Sequence, residues 1–294
     1  MQNFVNNCIN VLKILNNYCI ITLLMKIAVV QKKSIVDSPL KKWLLDGVKA
    51  SGEFDVVCLA SAKELSADFD KVLVFGGDGT MLDAVRHAVK FDIPVLGVNL
   101  GNLGFLTEFD KDATSKELVK ALLSTSVVKK AMLDIEFDGK TFVALNELVL
   151  KSASTRPQSY DLFIDGNFAD TFKSDGLIIA TPTGSTAYSL SAGGPVLAPD
   201  VKAMLVIPIC PHSLHSRPLI VSDKAKIEVR VVGDEGEVSL TADGNIVATA
   251  SKGEQIVVTT SEKTAKFVRV NGKNFFGKLL EKMNGWSITL QKTE

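Results

Sequence analysis

Val72-Leu73-Val74-Phe75-Gly76-Gly77-Asp78-Gly79-Thr80 carries the reading of the fold. Four apolar residues run into a glycine-rich turn, and helical spacing follows over Met81–Lys90. A strand that turns tightly into a helix is half of a βα unit. Working outward, Ile27–Val30, Val56–Leu59 and Val95–Val98 repeat the short apolar run. Ser38 before Pro39 reads as a helix N-cap with proline at the first helical position. Leu40, Leu44 and Val48 give that helix its apolar stripe, and Gly52 ends it. Thr114 with Glu117 forms a capping box for a helix through Leu123. Strand–helix alternation of this kind predicts a parallel sheet with flanking helices over residues 25–130.

After about Leu133 the texture becomes a series of short alternating runs: Leu133–Phe137, Thr141–Leu145, Leu148–Lys151, Tyr160–Ile164, Leu177–Ala180, Leu205–Ile209, Ile227–Val232, Val238–Ala242, Ile256–Thr259 and Phe267–Val270. Asp138-Gly139, Asp165-Gly166 and Asp243-Gly244 punctuate them as turn signals. The expectation is a β-rich second domain over 131–271, followed by a tail, 272–294, that is helical at Phe275–Met283 and packs back on the first domain. The fold class is therefore an α/β N-terminal domain plus a β-rich C-terminal domain. Residues 1–24 stand apart. They are rich in Ile, Leu and Asn, with Lys13 as the only charge. A basic start and a small-residue cleavage site are missing, and five asparagines interrupt the ~20 apolar residues that a membrane span needs. Met25 opens the first strand and reads as the functional start, with 1–24 as an upstream extension; the rival is an amphipathic membrane-contacting helix.

Bulk properties narrow the function. The chain has 294 residues, 46% of them hydrophobic, with 33 Lys plus Arg balancing 33 Asp plus Glu. A zero net charge argues against a nucleic-acid partner, which favours a clearly basic surface. Cys8, Cys19, Cys58 and Cys210 form no C-x-x-C pair, which fits a reducing, cytoplasmic setting better than a disulfide framework.

Chemistry concentrates in a few places. Glycines at 76, 77 and 79 let a phosphate chain approach the backbone, and the following helix N-terminus, opening near Thr80, offers free N–H groups. An acid there repels an anion, so Asp78 reads as a metal ligand or as a base for an attacking hydroxyl; equally, the segment is a plain tight turn with Asp78 capping the helix. Thr181–Val196, T-P-T-G-S-T-A-Y-S-L-S-A-G-G-P-V, is dense in hydroxyls and glycines beside a buried strand, and Tyr188 can cover a base or nicotinamide ring. Asn146-Glu147 reads first as a bulge or strand end and second as a pair that bonds ribose hydroxyls or a base edge. Asp175 is evenly a turn residue or a ligand contact. Cys210-Pro211-His212-Ser213-Leu214-His215 has too few donors for a zinc site, so no metal ligands are assigned; a structural loop or a ligand-contacting His212 is favoured.

Several of these segments, in this order, give the chain its resemblance to the bacterial ATP-dependent NAD kinase family: G-G-D-G-T at 76–80, G-N-L-G-F-L-T at 101–107, N-E at 146–147, S-D-G at 174–176, T-P-T-G-S-T-A-Y-S-L-S-A-G-G-P at 181–195 and P-H-S-L-H-S-R-P-L at 211–219. The first alone is shared with lipid kinases; the fifth is far more specific. The resemblance implies an NAD kinase/diacylglycerol kinase-like fold with the site between the two domains. It implies phosphorylation of the adenosine ribose 2′-hydroxyl of NAD by ATP, with Asp78 as proton acceptor and a divalent cation, Mg²⁺, arriving with ATP. NAD would be bound by Asp78, Gly79, Asn146, Glu147, Arg156, Lys173, Asp175, Thr186, Ala187, Tyr188, Ser189, Leu190, Ser191 and Asn245. Arg156 and Lys173 fall where the family carries basic side chains, and Asn245 where it often has Gln. Homodimers or homotetramers, with some pocket residues from a neighbouring subunit, are implied as well, and no membrane partner. Two rivals set the alternatives: a lipid kinase using the same turn, which the hydroxyl-rich loop disfavours, and a non-catalytic NAD(H) sensor, which has no need of Asp78.

Overall fold

A computed structural model describes residues 24–101, 104–213, 215–270 and 275–291. The expected leader, Leu24 apart, lies outside them. The first half is a βα alternation: β1 (Met25–Gln31), α1 (Pro39–Ala50), β2 (Phe54–Cys58), β3 (Lys71–Phe75), α2 (Asp78–Ala88), β4 (Val95–Val98) and α3 (Ser115–Leu123). The strands pair in parallel in the order β2-β1-β3-β4. Such a sheet is buried on both faces, and the alternation along β1 shows how. Ile27 and Val29 join Leu44, Val48, Leu118 and Leu122 under α1 and α3, whereas Ala28 and Val30 join Met81, Ala84 and Val85 under α2. The predicted caps are present: Ser38 accepts from the Lys41 amide, and Thr114 and Glu117 complete a capping box.

The second half adds β5 (Val127–Phe137), β6 (Lys140–Ala144), β7 (Glu147–Ser152), β8 (Gln158–Ile164), β9 (Asn167–Ser174), β10 (Gly176–Ala180), the short α4 (Tyr188–Ser191), β11 (Ala203–Ile209), β12 (Leu219–Ser222), β13 (Ile227–Val231), β14 (Val238–Ala242), β15 (Asn245–Ala250) and β16 (Gln255–Val268), before α5 (Phe275–Gln291). The three Asp-Gly turns close the β5–β6, β8–β9 and β14–β15 hairpins, with both turn residues at positive φ in each. That is the geometry for which Asp-Gly is suited. An antiparallel sheet, β12-β11-β10-β7-β14-β15, packs its inner face on β5, β8, β13 and β16 through residues such as Leu150, Leu177, Leu240, Tyr160, Leu162 and Val229.

Two departures from the sequence expectation concern strands. Ile256–Thr259 and the Phe267-Val268 start of the Phe267–Val270 run are parts of a single strand, β16, which ends at Val268; a register shift between Thr260 and Thr264 absorbs the polar Ser261–Lys263 segment that reads as a loop. β16 pairs antiparallel with β13 at one end and joins β4 in parallel at Phe267 at the other, so the parallel sheet continues into the β-rich half. Strands β9, β12 and β15 were not expected; they are short or polar, and each lies at a sheet edge. No helix among the described residues is long and apolar enough to cross a membrane.

Candidate functional site

Strand β3 is buried throughout, and its end sets the position of the glycine turn. The Gly76 amide donates to the Val98 carbonyl at the end of β4, 3.0 Å away, and Gly77 is the N-cap of α2. Asp78 is therefore the first helical residue, not the cap. Its carboxylate turns to the neighbouring loop instead: the Phe105 amide donates to Oδ2 and the Leu106 amide to Oδ1, both at 3.0 Å. A side chain on Gly104 would come within 2.4 Å of Asp78 Oδ1, so glycine there is what lets the loop close on the acid. Gly76 has its own steric reason, since a Cβ would meet Thr80 at 2.5 Å. Gly77 and Gly79 have none: an added Cβ meets no atom within 4 Å and neither has positive φ. Their open face is the one a phosphate chain would approach.

A second group forms where three segments converge. The Asp243 carboxylate accepts from the amides of Leu145 (2.8 Å), Asn146 (2.8 Å) and Glu147 (3.3 Å), fixing the backbone of the Asn-Glu pair. The Thr181 amide donates to the Asn146 carbonyl, and Gly184 sits against that same carbonyl so closely that a Cβ would lie 2.1 Å away. The Asn245 side chain donates from Nδ2 to the Asp243 carbonyl at 3.0 Å. Thr186, Ala187, Tyr188, Ser189, Leu190 and Ser191 follow directly, in a single helical turn and α4. Tyr188 is exposed, whereas the Ser189 hydroxyl and Glu147 Oε2 are buried without a partner among the described residues. Buried polar atoms ordinarily have partners, so these two stand out, together with the Tyr160 hydroxyl and two guanidinium nitrogens of Arg86. Asp78 and this group share a framework: Leu145 is buried in the same apolar cluster as Met81 and Leu106. Arg86, two turns along α2 from Asp78, exerts its charge on Asp243.

Three predicted residues lie elsewhere. Asp175 and Lys173 precede β10, whereas Thr181 follows it, a separation of roughly 20 Å at ~3.3 Å per residue. The Asp175 amide bonds the Ile209 carbonyl and the Lys173 carbonyl accepts from His212. Arg156, largely exposed, lies 3.9 Å from Glu235. Asn146, Glu147, residues 186–191 and Asn245 thus lie about one convergence of segments, joined to the helix that Asp78 opens through the shared apolar cluster, whereas Lys173 and Asp175 lie at the opposite end of β10 and Arg156 beside Glu235.

Burial shapes the electrostatics. It pushes the Glu147 carboxyl up to about 8, with the Asp243 charge adding to the effect. Asp243 is likewise raised by burial, against the pull of its three amide donors. On the other side of Asp78, burial together with the charges of Arg269 and Lys278 lowers the Lys130 ammonium to about 8. The sequence reading missed this basic side of the site, made of Lys130, Arg269, Lys278 and Lys282. It also took Asp243 for a turn residue only, although an acid preceding glycine beside a polar strand end was a usable signal. Among the described residues no group of three or more His, Cys, Asp and Glu side chains is placed to hold a metal ion.

With this geometry in view, comparison with known proteins is informative. Residues 30–125 match the family model of the ATP-NAD kinase N-terminal domain, and residues 145–270 that of the ATP-NAD kinase C-terminal domain. The chain belongs to the NAD kinase family. It is 38% identical to the NAD kinase of Desulforamulus reducens over 77% of this chain and 81% of that one. It is also 38% identical to the NAD kinase of Caldicellulosiruptor saccharolyticus, over 83% and 95%. Two solved structures are similar. One is yeast NADH kinase complexed with NADH (TM-score 0.77, 27% identity, 89% of this chain and 88% of that one). The other is an NAD kinase from Archaeoglobus fulgidus in complex with ATP (TM-score 0.74, 29% identity, 86% and 98%). This NAD kinase family member thus has the α/β and β-rich halves that its sequence implied.

Proposed function

We propose that this chain transfers the γ-phosphoryl group of ATP to the 2′-hydroxyl of the adenosine ribose of NAD, giving NADP and ADP. The observation that carries it is Asp78, the first residue of α2, beside two glycines whose outer face is open. The hydroxyl oxygen attacks the γ-phosphorus; the new O2′–P bond forms as the P–O bond to ADP breaks, and the hydroxyl proton passes to Asp78 and then to solvent. An ionised carboxylate offers about four lone-pair sites, so the Phe105 and Leu106 amides can orient it and leave others for the proton. A ribose hydroxyl is a poor nucleophile, and a positioned base contributes ~100-fold or more.

On this reading Asn146, Glu147, residues 186–191 and Asn245 hold the dinucleotide. A neutral Glu147 can donate its proton to a ligand oxygen and satisfy its buried atom. On this reading the divalent cation, Mg²⁺, enters as part of the MgATP substrate. Lys173 and Asp175 stand at the far end of β10 and Arg156 between β7 and β8; on this reading they serve the pocket of a neighbouring subunit in a homodimer or homotetramer. A cytoplasmic enzyme without nucleic-acid or membrane partners, divided near residue 130, completes the reading.

The test incubates the chain with NAD, ATP and Mg²⁺ and detects NADP with an NADP-specific dehydrogenase. NADP should appear, and Asp78→Asn should lose about a hundredfold or more in rate while remaining folded. NAD binding without any NADP from wild type would overturn the assignment.

A further inference from the structure

Asp78 creates a difficulty for its own substrate, because a carboxylate beside the glycine turn repels a triphosphate. The structure places four cations around it. Lys130 comes from β5, Arg269 follows β16, and Lys278 and Lys282 lie on α5. Two are committed to the loop that holds Asp78. Arg269 bonds the Leu106 carbonyl (3.0 Å) and Glu108 (3.0 Å), and Lys278 bonds the Thr107 carbonyl (2.7 Å). The loop is thereby held from both sides, its amides on the acid and its carbonyls on the cations. The other two are not so engaged. The Lys282 ammonium lies 3.9 Å from Asp78 Oδ2 and 4.3 Å over the Phe105 ring, too loose for a hydrogen bond to the acid. The Lys130 ammonium makes no hydrogen bond or ion pair among the described residues; it faces the Phe267 ring at 5.9 Å and feels the Asp78 charge.

We propose that Lys282 and Lys130 bind the phosphate chain of the phosphoryl donor, with Lys282 bridging Asp78 and the transferring phosphate. The proposal rests on the kinase reading above and deepens it. Such an arrangement offsets the repulsion by Asp78 and neutralises charge on the phosphoryl oxygens as the bond to the leaving diphosphate breaks. An ammonium on a flexible stem suits this role, since it can move from the Phe105 ring to a phosphate oxygen. It also makes α5 part of the donor site rather than a surface appendage.

Phosphates occur in both substrates, so the test must separate donor from dinucleotide. Lys282→Met and Lys130→Met are made in the full chain, and Lys282→Arg alongside. Losing one charge-assisted contact corresponds to about ten- to a hundredfold in affinity. Each Met variant is therefore expected to raise KM for MgATP by that order, with KM for NAD within about twofold, and Lys282→Arg should recover most of the loss. Titration of MgATP and of tripolyphosphate by calorimetry, without NAD, should show the same weakening. Asp78→Asn should retain both ligands; its activity tests the base, whereas these affinities test the lysines, so the two readings can fail separately. Near-UV circular dichroism checks that each variant is folded. Unchanged MgATP and tripolyphosphate affinity in folded Met variants overturns the proposal, and so does a rise confined to KM for NAD, which would give the lysines to the dinucleotide.

Discussion

At the scale of single residues, two positions carry the sharpest consequences. Gly104 is needed because Asp78 occupies the space of its absent side chain. Gly104→Ala should push the loop off the carboxylate and lower kcat on the order of tenfold or more, since small misplacement of a reacting group is expensive; thermal unfolding should move little, and unchanged kcat would show that the loop does not orient the acid. Glu147 links binding to pH. Folded, it stays protonated up to about 8; unfolded, it ionises near its ordinary value. The folded state therefore holds more protons across that window, and stability falls as pH climbs through it. Glu147→Gln, close in shape to the protonated acid, should flatten this decline in denaturant midpoints and leave NAD affinity at pH 7 near wild type. A decline that persists in the variant would remove Glu147 as its source. Lys130 predicts a second profile. With burial, then Arg269 and Lys278, opposing its charge and Asp78 supporting it, it loses its proton near 8, so the affinity for MgATP should fall above that pH and the fall should vanish in Lys130→Met.

At the scale of elements, β16 is the piece to test. Phe267 is wholly buried where β16 meets β4, and both Lys130 and Arg269 face its ring. Phe267→Ala should cost about 3–5 kcal/mol, the usual range for a large buried aromatic, read from chemical denaturation; a loss under 1 kcal/mol would mean that this junction packs loosely. β16 also shows where sequence reading stops. Phe267–Val270 and Ile256–Thr259 were visible as apolar runs, but Ser261-Glu262-Lys263 broke them, because a strand that changes partners midway carries no single alternation. β9, β12 and β15 were hidden for a related reason: edge strands are half solvated and need no apolar pattern. By contrast βα units, caps and Asp-Gly turns are local, and they were legible. So was the glycine turn with Asp78. The basic side of the site was not, since Lys130, Arg269 and Lys278 are far apart along the chain and only the topology brings them to one place.

At the scale of the whole molecule, the two halves share one core network, with Leu145 and Met132 of the second half buried among α2 residues of the first. Calorimetry should accordingly give a single unfolding transition that saturating NAD moves upward as one peak; two separated peaks would show that the halves melt independently. The course of β16, from β13 in one half to β4 in the other, has a further consequence for motion. Kinases often close by swinging two lobes about a flexible joint. Here one strand, its ladder broken only by the register shift between Thr260 and Thr264, runs through the place where such a joint would lie and ties the lobes against opening like the covers of a book. Movement that admits a nucleotide is therefore expected at the periphery, in residues 104–107 and in α5, which meet that frame through side-chain contacts rather than through a strand ladder.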